Sequence, residues 1–133
     1  MDISRIRRVR HALIYALLCI ASVIGASAAL AEQARHDFPY ESSFVDILGS
    51  QMHYVDTGGN GDPILLVHGQ PTWSYLWRKI IPLLDGDRRV IALDLIGFGK
   101  SDQPQIAYSA EDHARYFAAF LDALEIEQSV LVG

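Results

Sequence analysis

Two apolar runs without a polar alternate, PILLV at residues 63–67 and VIAL at 90–93, limit this chain more than anything else in it. A strand with one wet face alternates. A run that is apolar at every position has both faces covered, which in a sheet means parallel strands with helices packed on each side. A third run of this kind, SVLVG, occupies residues 129–133. Upstream, SFVDIL and QMHYVDT do alternate, on either side of a turn at Gly49 and Ser50, and read as a half-buried antiparallel hairpin. GGNGD at 58–62 marks another turn. Between the apolar runs the period changes. Trp73, Leu76, Trp77, Ile80, Ile81 and Leu84 share one helical face, and Pro82 is expected to kink or end its last turn. Ser109, with Asp112 three residues on, forms a capping box for a second helix with the stripe Ala114, Phe117, Ala118, Leu121 and Leu124. The order β-β-β-α-β-α-β with right-handed crossovers is an α/β fold, a mostly parallel sheet with an antiparallel amino-terminal hairpin.

The first residues follow different rules. Arg5, Arg7, Arg8 and Arg10 make a basic start, residues 12–31 carry no charge, and small residues stand at Ala29 and Ala31. This is the pattern of a secretory signal peptide, residues 1–31, cleaved after Ala31. An uncleaved anchor helix is the alternative, since about 20 apolar residues span a bilayer; membrane contact is expected only through this segment. Cys19 follows Leu17 and Leu18 rather than small residues, which sets a lipoprotein start aside, and Arg7-Arg8 leaves both the general and the twin-arginine route open. Either route exports the protein to the periplasm or the medium. Residues 32–42 read as a flexible polar lead-in and residues 43–133 as the folded part.

Without residues 1–31 the remaining 102 residues carry seven Lys and Arg against fifteen Asp and Glu, a net charge of −8. A nucleic-acid partner is excluded by that balance, because phosphate binding runs on basic patches. No cysteine remains either, so a disulfide frame, a thiolate metal site and a cysteine nucleophile all drop out.

Chemistry is expected at the turn HGQPTW, residues 68–73, because the carboxyl end of a parallel strand is where open α/β sheets bind ligands. Gly69 permits close backbone approach. Pro71 restricts Gln70 to extended backbone and makes Gln70–Pro71 a candidate for the cis form. Gln70 is therefore held close above the sheet, offering its side-chain amide and its backbone N–H. The neighbouring residues have plainer readings. His68, at the end of a buried strand, is a packed, hydrogen-bonded structural histidine. Trp77 is core; Trp73, at the helix start, is core or pocket wall. Asp94 is expected to cap backbone groups of the loop that follows it. Gly97 and Gly99 lack the third glycine and the helix of a dinucleotide site, and His53 and His113 lack metal-ligand spacing. Asp122, Glu125 and Glu127 make a solvated helix face.

LLVHGQPTWSYLWRKIIPLL, then RVIALDLIGFGKSD, then SVLVG, in this order and spacing, resemble the amino-terminal half of an alpha/beta-hydrolase, most closely the haloalkane dehalogenases. The resemblance covers residues 43–133 and implies hydrolysis of a halogenated alkane by water, releasing halide, with no metal or organic cofactor. In that family an Asp on the sharp turn after the strand resembling VLVG attacks the halogen-bearing carbon, and a later His activates the water that cleaves the ester. By resemblance the nucleophile falls about two residues past Gly133. Gln70 would donate its side-chain amide to the halide and its backbone N–H to the oxyanion of ester hydrolysis, with Trp73 a second halide- or substrate-side residue. The position is often Asn in the family and sometimes Glu; Gln is a methylene longer and keeps the donor. Related epoxide hydrolases and fluoroacetate dehalogenases commonly carry an apolar residue there, so Gln70 argues against them. Ester or epoxide hydrolysis, a luciferase-like oxygenation, and an inactive truncated fragment stay open as alternatives. A chain that stopped at SVLVG would leave a buried-type strand at the sheet edge, and it is expected to be poorly soluble or molten.

Overall fold

The computed structural model describes residues 38–84, 86 and 88–133. The signal peptide and most of the lead-in expected from the sequence lie outside the described residues. The regular structure belongs to the compact unit Tyr40–Gly133. Its sheet has strands β1 (Ser43–Ile47), β2 (Ser50–Asp56), β3 (Ile64–Val67), β4 (Val90–Leu93) and β5 (Val130–Val132), in the spatial order β1-β2-β4-β3-β5. β1 and β2 pair antiparallel, as do β2 and β4, whereas β3 lies parallel to both β4 and β5. Among the described residues no helix is long and apolar enough to cross a membrane.

The hairpin turn sits one residue earlier than the sequence suggests. Ile47 pairs with Ser50, so the connection is Leu48–Gly49 and Ser50 already belongs to β2. Both turn residues have positive φ, 55° and 79°, the mirror-image turn whose twist suits a two-residue hairpin. Gly49 takes that conformation freely, and its N–H donates to the Asp46 carboxylate at 3.2 Å. Leu48 does not take it freely, and it is 57% exposed. Leu48→Asn is therefore expected to raise stability by about 1 kcal/mol, removing left-handed strain while giving up little burial. An unchanged denaturant midpoint would show that the strain is absent.

β3 and β4 are buried along nearly their whole length, as their unbroken apolar sequences require. Leu65, Ile91 and Leu93 join Ile47, Met52 and Ile96 in a core cluster, and Ile64, Leu66, Val90 and Ala92 are the alternate residues of the same strands. The crossovers β3→β4 and β4→β5 run in opposite directions along the sheet. For right-handed connections this places their segments on opposite faces. β5, at the edge, differs from the buried strand read from its sequence: Val130, Leu131 and Val132 are 45%, 60% and 37% exposed.

The single helix expected over residues 73–84 is not formed. A 3₁₀ turn covers Ser74–Trp77 and a separate short helix, α1, covers Ile81–Leu84. Pro82 explains the break, because it has no N–H for the carbonyl four residues back; it is tolerated in a first turn, and here it lies in the first turn of α1 rather than the last. Of the expected stripe, Ile81 is buried, while Leu76 and Ile80 stand 46% and 39% exposed.

The long helix α2 (Ala110–Ala123) begins with the expected capping box: Asp112 N–H donates to Ser109 Oγ, and Ser109 N–H to the Asp112 carboxylate, both at 3.1 Å. Its buried face is rotated from the predicted stripe. Tyr116 and Phe120 are buried and Phe117, Leu121 and Leu124 pack beside them, but Ala114 and Ala118 are exposed. Large aromatic surfaces outweigh alanine methyl groups in deciding which way a helix turns.

Candidate functional site

Parallel pairing brings the carboxyl ends of β3, β4 and β5 to one edge of the sheet. β3 leaves that edge through His68 to Trp73, and β4 through Asp94 to Asp102. A Cβ placed on Gly133, just past β5, would stand 3.2 Å from the Val67 carbonyl oxygen, so the tips of β3 and β5 are side by side. Ligands of open α/β sheets bind at such an edge.

His68 is buried, as expected of a structural histidine. The Leu95 N–H donates to its Nε2 at 3.0 Å, so the ring proton is on Nδ1, which donates to the Gly69 carbonyl at 3.1 Å. The Phe98 ring meets the imidazole edge-on at 5.5 Å. Gly69 to Thr72 form a turn closed by the Thr72 N–H on the Gly69 carbonyl at 3.0 Å, with Gln70–Pro71 cis. Gln70 stands at its apex, exposed. Among the described residues neither its side-chain amide nor its backbone N–H is engaged by a hydrogen bond. Trp73 is half-buried in extended backbone, stacked on Tyr75 at 5.5 Å and with the Lys100 ammonium 6.0 Å from its ring centre. It lies outside the core cluster. Trp77 is also only half-buried, and its indole N–H is buried without a partner among the described residues.

Below this turn lies a polar knot that sequence reasoning read only in part. Asp94 is fully buried and does cap backbone groups: Ser74 N–H donates to Oδ1 at 2.6 Å and Lys100 N–H to Oδ2 at 2.8 Å. Its other partner was not foreseen. His53, also fully buried, donates from Nδ1 to Asp94 Oδ2 at 2.8 Å. An ionised carboxylate only accepts, so the His53 proton is on Nδ1, and Nε2 takes the Ser42 hydroxyl proton at 3.0 Å. The Ser42 oxygen in turn accepts the Lys100 ammonium at 2.6 Å. Ser101 Oγ receives the His53 N–H at 2.9 Å and donates to the Asp94 carbonyl at 2.7 Å, while the Asp94 N–H reaches the His53 carbonyl directly at 2.8 Å. Burial alone would raise the Asp94 pKa. The His53 hydrogen bond and the N–H groups of Lys100 and Ser74 outweigh it and hold the carboxyl below its ordinary value.

The two glycines of the loop serve this packing. A Cβ on Gly99 would overlap the Asp94 carboxylate and one on Gly97 the Tyr108 ring, and both residues have positive φ. His113 lies apart from His53, between the rings of Phe98 at 5.9 Å and Tyr108 at 6.2 Å. The His53–Asp94 contact had one signal in the sequence, a histidine inside a strand with buried neighbours. Nothing local says that β2 lies beside β4, and the register Tyr54↔Leu93 is what puts the two residues opposite each other.

Comparison with known proteins agrees with this architecture. The haloalkane dehalogenase of Mesorhizobium japonicum is 50% identical over 91 residues, 68% of this chain and 29% of that protein. Haloalkane dehalogenase 2 of Mycobacterium bovis is 42% identical over 97 residues, 72% of this chain and 34% of that protein. The crystal structure of the haloalkane dehalogenase DatA from Agrobacterium tumefaciens superimposes with a TM-score of 0.65 at 44% identity, covering 68% of this chain and 31% of that one. The chain thus spans about a third of the length of the curated relatives it matches. A family described as the alpha/beta hydrolase fold matches residues 62–133, which run from the start of β3 through Gln70 and the Asp94 loop to the tip of β5. With that match on top of the mixed β1-β2-β4-β3-β5 sheet, the chain belongs to the alpha/beta hydrolase fold family.

Proposed function

We propose that these residues form the amino-terminal part of a haloalkane dehalogenase-like hydrolase, with Gln70 as its halide and oxyanion donor. The observation that carries the reading is the position of Gln70: it stands in the turn after β3, whose last residue Val67 lies against Gly133 at the tip of β5, with both its amide groups unengaged among the described residues. In enzymes of this kind a carboxylate on the turn after the strand resembling β5 displaces the halide from carbon, forming an alkyl ester. Water activated by a histidine then cleaves that ester to an alcohol. We propose that both groups come from residues beyond Gly133.

The part of Gln70 follows from charge. A halide released into an apolar pocket is costly unless fixed donors meet it, and the Gln70 side-chain amide supplies one. During hydrolysis negative charge moves to the ester oxygen, where the Gln70 backbone N–H serves. Trp73, three residues on, is the second residue proposed for the substrate side. Residues 1–31 are proposed to export the protein to the periplasm or beyond.

The test is halide release by the complete enzyme from 1-bromobutane: bromide and 1-butanol are expected in equal amounts. Turnover of an epoxide or a simple ester in place of the bromoalkane would overturn the reading in favour of another reaction on this fold. No halide and no alcohol would overturn it outright.

A further inference from the structure

Gln70 is useful as an oxyanion donor only if its N–H points one way and stays there, yet the residue is exposed. What fixes it is the other half of its peptide unit. The Gly69 carbonyl receives three donors: Thr72 Oγ1–H at 2.6 Å, Thr72 N–H at 3.0 Å and His68 Nδ1–H at 3.1 Å. A trans peptide unit is planar, with its C=O and N–H pointing in opposite directions. Clamping the Gly69 oxygen therefore aims the Gln70 N–H to the far side, away from His68 and Thr72. The same clamp strengthens the donor, since an amide whose oxygen accepts hydrogen bonds is polarised and gives its own hydrogen more readily.

We infer that Thr72 and His68 are positioning residues, which aim and polarise the Gln70 backbone N–H through the Gly69 carbonyl. The inference rests on the proposed function for its consequence in catalysis, but the clamp itself does not depend on it. His68 is locked in the required tautomer by the Leu95 N–H on Nε2, so the clamp is anchored to the exit of β4 as well as to its own turn. Thr72 supplies two of the three donors and is the residue to change. Thr72→Val keeps the branched shape and the backbone N–H and removes only the hydroxyl; Thr72→Ser keeps the hydroxyl.

The primary readout is the Gln70 backbone amide in the ¹⁵N-labelled intact protein. In Thr72→Val its proton resonance is expected to move upfield and its residual dipolar coupling to change, and in Thr72→Ser both are expected to match the unmodified protein. A Gln70 amide that keeps its shift and coupling in Thr72→Val overturns the inference whatever the turnover. A measurement that needs no variant is the hydrogen-bond scalar coupling from Thr72 N to Gly69 C′, expected to be present; its absence also overturns the clamp. In an active enzyme Thr72→Val is further expected to lower kcat about tenfold with little change in KM, and Thr72→Ser to restore it, because one oriented donor is weakened in the transition state while binding is untouched. If the amide moves but the unmodified enzyme releases no halide, the clamp stands and the proposed reaction fails.

Discussion

Asp94→Ala is expected to cost the fold about 3 to 5 kcal/mol, because it removes the carboxylate that accepts three hydrogen bonds, and each donor left unpaired costs about 1 to 3 kcal/mol. The alanine leaves the Ser74 N–H, the Lys100 N–H and the His53 Nδ1–H in a dry interior without an acceptor. These three donors belong to the segment after the Gln70 turn, the loop after β4, and β2, so the loss is spread over three parts of the site. Guanidinium titration monitored by tryptophan fluorescence checks it, and a midpoint near that of the unmodified protein would show that Asp94 is not the anchor. Acid should act in the same direction. Because the Asp94 carboxyl titrates below its ordinary value in the folded chain, its contribution is fully present above about pH 4 and is lost as pH falls through the lower folded value. Asp94→Asn, which stays neutral, is expected to be less stable at pH 7 and to lose this part of the acid dependence. Equal slopes below pH 4 in the two proteins would contradict that.

Gln70→Ala is expected to slow halide release by roughly 10² to 10³, equivalent to about 2.7 to 4 kcal/mol in barrier, if the side chain is one preorganised donor to the leaving group. The substitution keeps the backbone N–H, so carbon–halogen cleavage should suffer more than ester hydrolysis. Two measurements separate the steps. Single-turnover alkylation should slow while decay of the ester stays near its original rate. The penalty should also grow from iodide to bromide to chloride, because charge on the smaller ion is more concentrated and gains more from a fixed donor. Unchanged turnover with every halide would remove the Gln70 side chain from the site.

How much of this was legible in the chain depends on how far apart the partners lie. β3 and β4 were evident because burial on both faces writes itself into every residue of a short run. The Ser109–Asp112 capping box was evident because it closes within one turn of helix. The expected helix over residues 73–84 is broken in a way periodicity does not register, because Pro82 has no N–H for the carbonyl four residues back. The face of α2 that turns inward is set by Tyr116 and Phe120 rather than by Ala114 and Ala118, because the larger rings bury more surface, which a count of apolar positions does not register. The hairpin turn was misplaced by one residue because a left-handed leucine is not what a sequence reader expects. The place of Gln70, in the turn after β3, could be read from the strand-Gly-turn pattern alone. Its support could not, because the second nitrogen of His68 is satisfied by Leu95 and the carboxylate of Asp94 by His53, both across the sheet.

Ser101 has a consequence beyond stability. His53 and Asp94 face each other in antiparallel strands, where two direct backbone bonds would ordinarily form; one is direct, and the other is relayed through the Ser101 hydroxyl. That oxygen works as a shim driven between β2 and β4, prising them apart by the width of one atom group where the loop departs. A side chain at 101 must be small and must both give and take a proton. Alanine would let water in or let the ladder zip another rung, and a longer hydroxyl residue would wedge the strands too wide.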